Sequence, residues 1–139
     1  MKGKSIVAVI GVAVLLLAVS LPLLANGNSP QEVYALYIVT QRAGDLEGMA
    51  EYVVKTKKDQ LQAMPDAQKK GIAGMMKMMA PVEYTVITED IQGDTATLTL
   101  KAKVKDFSGQ IAEQSGTLSF VKECGVWKLA REKWKASSK

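Results

Sequence analysis

Thr95-Ala96-Thr97-Leu98-Thr99-Leu100-Lys101-Ala102-Lys103-Val104-Lys105 alternates small or branched apolar residues with threonine and lysine over eleven positions. A period of two places Ala96, Leu98, Leu100, Ala102 and Val104 on one face and the polar set on the other, the pattern of a strand with one face buried and one wet. Gln92-Gly93-Asp94 precedes it as a turn, and before that turn β-branched residues dominate from Val82 to Ile91, which predicts a partner strand. After it, Phe107-Ser108-Gly109 forms a loop, a third strand is expected from about Ile111 to Lys122, and Glu123-Cys124-Gly125 turns the chain into a last strand from Val126 to Trp134. Successive strands joined by short turns make an antiparallel meander.

The chain before Pro81 reads as helical. Ser29, Pro30 and Glu32 form a capping box with proline in the first helical turn, and Val33, Leu36, Tyr37 and Thr40 then recur on one face up to a stop at Gly44. Asp45 caps a second short helix with Leu46, Met49, Ala50 and Val53 on its buried side. Lys55 to Met64 is polar around Leu61 and reads equally as a helical turn or a loop, whereas Pro65 to Met79 is helical again, with Gly71 and Gly74 each costing about 1 kcal/mol relative to alanine. Helices first and strands afterwards give an α+β class, with the helices packed on the concave face of a curved antiparallel sheet of about four strands.

Upstream lies a leader. Lys2 and Lys4 precede an uncharged, almost wholly apolar run from Ile6 to Leu24, which reads as residues 1–25 of a signal peptide cleaved after Ala25, or as an uncleaved anchor, since about 20 apolar residues span a bilayer. Either reading exports the domain to a periplasmic or extracellular setting, and membrane contact is expected only through residues 6–24. Residues 26–28 are a linker, 29–135 the domain and 136–139 a basic tail.

Removing Lys2 and Lys4 leaves 16 basic against 14 acidic residues, so no nucleic-acid partner is expected. The local excess at Lys122, Lys128, Arg131, Lys133, Lys135 and Lys139 reads as a solvated strand face and tail. Cys124 is the only cysteine: no intramolecular disulfide is available, and an unpaired thiol in a turn is expected.

Four stretches carry a family pattern: Ser29-Pro30-Gln31-Glu32-Val33 opening a helix, Gly44-Asp45-Leu46 between helices, Gly93-Asp94-Thr95-Ala96 opening a strand, and Gly125-Val126-Trp127-Lys128-Leu129 near the end. In order and spacing this resembles the nuclear-transport-factor-2-like superfamily. More narrowly, it is similar to the small exported bacterial proteins of unknown function in that group, though without the lipobox cysteine of the lipoproteins. The resemblance implies a cone-like, cystatin-like roll around an inner cavity, which some relatives use for small hydrophobic ligands or catalysis and others replace by protein contacts, often as dimers.

Enzymes of that superfamily, such as ketosteroid isomerase, limonene epoxide hydrolase and the polyketide cyclases, place acids, tyrosines, arginines or histidines inside the cone. This chain has no histidine, which removes Ser-His and Cys-His pairs and imidazole metal sites. The inner face of the Thr95–Lys105 strand offers no acid either. Tyr34, Tyr37 and Tyr84 are expected to project toward a cavity, with Asp45 near its mouth. Met75, Met76, Met78 and Met79 could present thioethers to Cu(I), but methionines also fill adaptable apolar grooves, and no metal or other cofactor is assigned. Trp127 and Trp134 are expected to anchor the last strand in the core. The expected function is a non-enzymatic binding domain for a small apolar ligand or an envelope protein, its ligand-binding residues Tyr34, Tyr37, Tyr84, Met75 and Met79. The alternative is an isomerase- or hydrolase-like enzyme using a buried carboxylate and a tyrosine.

Overall fold

The computed structural model describes residues 29–137. The expected leader and linker, and the last two residues of the tail, lie outside the described residues. Four helices, α1 (Pro30–Ala43), α2 (Leu46–Ala50), α3 (Lys55–Ala63) and α4 (Asp66–Met79), precede four strands, β1 (Glu83–Gln92), β2 (Thr95–Lys105), β3 (Ile111–Glu123) and β4 (Val126–Ala136). The strands form one antiparallel sheet in sequence order. The α+β expectation therefore holds. Among the described residues no helix is long and apolar enough to cross a membrane.

Local chemistry sets the boundaries. The Ser29 hydroxyl accepts from the Glu32 amide at 3.2 Å to start α1, and Gly44, at φ 69°, closes it in the left-handed conformation that glycine adopts without strain. The Asp45 side chain accepts from the Gly48 amide and starts α2; it is an exposed cap, not a group at a cavity mouth. The ambiguous polar stretch is helix α3, which buries no residue fully. Cys124 and Gly125, both at positive φ, form the two-residue β3–β4 turn, with the thiol exposed and unpaired.

The core lies between α1 and the inner face of the sheet. Val33, Tyr34, Tyr37 and Ile38 from α1 meet Leu98, Leu100, Leu118, Phe120 and Leu129, all nearly inaccessible to solvent. Trp127 joins this core and Trp134 packs at its edge. The outer face of β2 carries Thr97, Thr99, Lys101 and Lys103, the last paired with Glu83.

Two bulges shape the sheet. In β1 the register slips at Ile87, between Val86 opposite Leu100 and Thr88 opposite Thr99. In β4 it slips at Ala130, because Leu129 faces Phe120 while Arg131 faces Ser119. An extra residue reverses the facing of everything beyond it. Trp127 and Leu129 point to the helices, and past Ala130 the inward positions become Glu132, opposite Leu118, and Trp134, opposite Gly116. The bulge sits where the α2–α3 connection docks on the strand: the Leu129 amide donates to the Tyr52 carbonyl at 2.8 Å, and its carbonyl accepts from Val54 at 3.0 Å.

Candidate functional site

The bulge brings a carboxylate to the helix-facing side of the sheet, beside its apolar centre. Glu132 is half-buried. Its Oε2 accepts from the Tyr37 hydroxyl at 3.1 Å and its Oε1 from the Trp134 indole N–H at 3.2 Å. Three ion pairs occur among the described residues, Lys55–Asp59, Lys58–Glu51 and Lys103–Glu83, and none includes Glu132. Each carboxylate oxygen offers about two acceptor positions, so each retains one for a further donor.

Two cavities meet at this carboxylate. The first, about 240 Å³, lies open to solvent between α1–α4 and β4 and is lined by Leu46, Met49, Val53, Leu61, Met64, Ile72 and Leu129 around Tyr37, Met76 and Glu132. The exposed Lys57 and Gln60 also line it. The second, about 280 Å³, is lined by Tyr34, Gln41, Met76, Met79, Pro81, Val104, Gln114, Glu132 and Trp134.

The two buried tyrosines of α1 are one helical turn apart and their rings stack at 6.2 Å. Burial, and after it the negative charge of Glu132, push both phenols far above the ordinary value of 10.0. Tyr37 thus remains a hydrogen-bond donor across any physiological pH. The Tyr34 hydroxyl is also buried, but finds no hydrogen-bond partner among the described residues. An unmet buried hydroxyl costs about 1–3 kcal/mol. Tyr34→Phe is therefore expected to unfold at an unchanged or higher urea midpoint, gaining up to about 1 kcal/mol; a loss of 2 kcal/mol or more would show that the hydroxyl is satisfied.

The residues singled out from sequence fall in different places. Tyr37 lines the first cavity, and Tyr34 and Met79 the second. Tyr84 packs edge-on against Tyr34, with ring centroids 5.0 Å apart, and lines a separate open groove on the β1–β2 surface with Thr85 and Lys103. Met75 lines neither cavity: it is 52% exposed, and its neighbour Met76 faces inward instead. The reason is helical phase, since the seated stripe of α4 runs through Ile72, Ala73 and Met76. Met75 and Met78 both point to solvent. Glu132 escaped the sequence reading because strict alternation from Leu129 places it outside. The available signal was the spacing of Trp127 and Trp134, an odd number of residues apart, which requires a bulge if both large rings face the core.

No protein-family model matches the chain, and no curated protein matches it by sequence. Solved structures do match. A SEC-C motif containing protein from Rhodopseudomonas palustris superposes with a TM-score of 0.62 at 15% identity, covering 76% of this chain and 78% of its own. A Streptomyces avermitilis protein of the nuclear-transport-factor-2-like family, provisionally named a dehydratase, gives 0.55 at 14% identity, covering 83% and 99%. A nuclear-transport-factor-2-like protein with a cystatin-like fold from Novosphingobium aromaticivorans gives 0.52 at 20% identity, covering 86% and 87%. With four helices laid on a bulged four-stranded meander and these structures as its neighbours, the chain has the nuclear-transport-factor-2-like, cystatin-like fold.

Proposed function

We propose that this domain binds a small, mainly apolar ligand carrying one hydrogen-bond donor or positive charge, which Glu132 reads. The carrying observation is the Glu132 carboxylate, held by two aromatic donors and by no cation among the described residues, at the wall of an apolar cavity. A volume of about 240 Å³ lies just below the roughly 300–1,000 Å³ that holds drug-sized ligands, so the ligand is small. The outer face of β2 is threonine and lysine, while exposed apolar residues such as Met78, Ile87 and Phe107 keep an envelope-protein partner as the second version of this reading. The leader at residues 1–25 makes this an exported binding protein.

A catalytic reading rests on the Tyr37–Glu132 hydrogen bond, a phenol and a carboxylate together at a cavity, and on the dehydratase name of one structural neighbour. Proton transfer works best with groups whose pKa lies near the operating pH. Both buried tyrosines are driven away from that range, which weighs against them as acids and suits them as fixed donors. Binding without turnover is the better reading.

Hexylamine, titrated calorimetrically into the protein at neutral pH, tests it. The wild type should bind, and Glu132→Gln should bind at least about tenfold more weakly, as expected for loss of a charge-assisted hydrogen bond. Equal affinities would overturn the role of Glu132, and recovery of a chemically altered ligand would favour the enzyme.

A further inference from the structure

The two cavities have two lining residues in common, Met76 and Glu132. We propose that the Met76 side chain is a movable partition, and that the full ligand is a two-armed amine which displaces it and occupies both cavities. This rests on the binding reading given above. One arm would fill the apolar first cavity, the nitrogen would sit at Glu132, and the second arm, ending in a hydroxyl or carbonyl, would enter the second cavity beside Tyr34.

Three observations carry the inference. The backbone at Met76 is held while its side chain is of an adaptable type: the buried Gln41 side chain donates to the Met76 carbonyl at 3.0 Å, whereas methionine has three rotatable bonds and no branch to restrict it to one rotamer. The helix around it is lightly seated. No residue of α4 is fully buried, and added methyl groups at Gly71 and Gly74 would meet nothing within 4 Å. Finally, the second cavity contains an unmet need, because the Tyr34 hydroxyl is buried in its wall without a partner among the described residues. A buried donor with no acceptor is a place where ligand chemistry is specified.

The two arms divide the polar work. Glu132 accepts only, so the group facing it must donate, which an ammonium does with charge as well. Tyr34 both donates and accepts, so a hydroxyl or carbonyl at the end of the second arm satisfies it. A ligand with a single arm leaves Met76 in place.

Two probes separate the possibilities, hexylamine with one arm and N-(3-hydroxypropyl)hexylamine with two, each titrated into the wild type, Met76→Ala and Tyr34→Phe. Hexylamine should bind the wild type and Tyr34→Phe within about threefold, and its affinity for Met76→Ala, which alters a wall of the first cavity, is the reference for the two-armed amine in that variant. The two-armed amine should bind Met76→Ala about tenfold more tightly than wild type, because no partition need be displaced, and Tyr34→Phe about three- to tenfold more weakly. Should hexylamine bind while neither substitution alters the affinity of the two-armed amine, the partition is refuted and the simpler binding site stands. Should hexylamine fail to bind the wild type, the binding reading itself fails. Tyr34→Phe is expected to keep its fold, which the urea midpoint checks, so the second arm remains testable even if Met76→Ala is poorly folded.

Discussion

Phe120→Ala should lower the free energy of unfolding by about 3–5 kcal/mol, with an unchanged slope in urea. Phe120 is 1% exposed, on the inner face of β3, paired across the sheet with Ala96 on one side and with Leu129 on the other. Its neighbours are held by two flanking strands and by α1, so the space vacated by the ring cannot close, and the lost transfer energy is compounded by a cavity. Domains of this size are stable by about 5–15 kcal/mol, so the variant should be close to unfolded at room temperature or already so. The effect follows from where the core lies. A loss under about 1.5 kcal/mol would mean that the α1–sheet interface is not the main source of stability.

The second large effect is expected at Gly116. A methyl group built on this residue would stand 2.5 Å from Cζ3 and 2.7 Å from Cε3 and Cη2 of Trp134, the residue directly across β3–β4. The indole lies flat over the glycine, so Gly116→Ala must expel the ring. A displaced Trp134 withdraws its N–H from Glu132 and leaves the carboxylate with the Tyr37 hydroxyl as its remaining donor. We expect a stability loss of about 1–3 kcal/mol, a shift of the Trp134 indole N–H resonance in NMR spectra, and weaker amine binding. Overpacking alone would weaken the fold without moving the Trp134 resonance, so that signal separates damage to the site from damage to the core.

What was legible in the sequence depended on unbroken periodicity. The alternation from Thr95 to Lys105 specified β2 and its inner face, with Ala96, Leu98, Leu100 and Ala102 buried as read. Ser29, Gly44 and Asp45 fixed three helix ends because each acts through its own backbone neighbourhood. Lys55–Ala63 was ambiguous because a helix that buries no residue fully leaves little apolar stripe to read. Tyr37 was found from its spacing on α1, whereas Tyr34 lay outside the stripe read there and stood out only as a tyrosine able to face a cavity. The acid was hidden for a definite reason: one extra residue at Ala130 inverts the inside and outside of the last strand, and that event depends on the tertiary contact of Leu129 with Tyr52 and Val54. Four methionines within five positions likewise gave no direction to α4, which Ile72 and Ala73, one turn earlier, would have supplied.

The bulge also explains how Glu132 comes to face the helices beside the apolar core. On a strictly alternating β4 the inward residues past Leu129 would be Arg131 and Lys133, whose cations would need partners in the core. The slip sends those to the exposed face and turns Glu132 and Trp134 inward, where the indole and the Tyr37 hydroxyl supply the donors that the carboxylate requires. Fold irregularity and site are one feature.

The most direct test of the central claim, that the apolar cavity beside Glu132 is a ligand site, is a methyl-resolved NMR titration of the protein with hexylamine. The account predicts saturable shifts concentrated on Met49, Leu61, Ile72 and Leu129, the methyl-bearing walls of that cavity, together with the Tyr37 and Trp134 signals around the carboxylate. Shifts confined to the sheet's outer face, or none at concentrations where the amine remains monomeric, would contradict it.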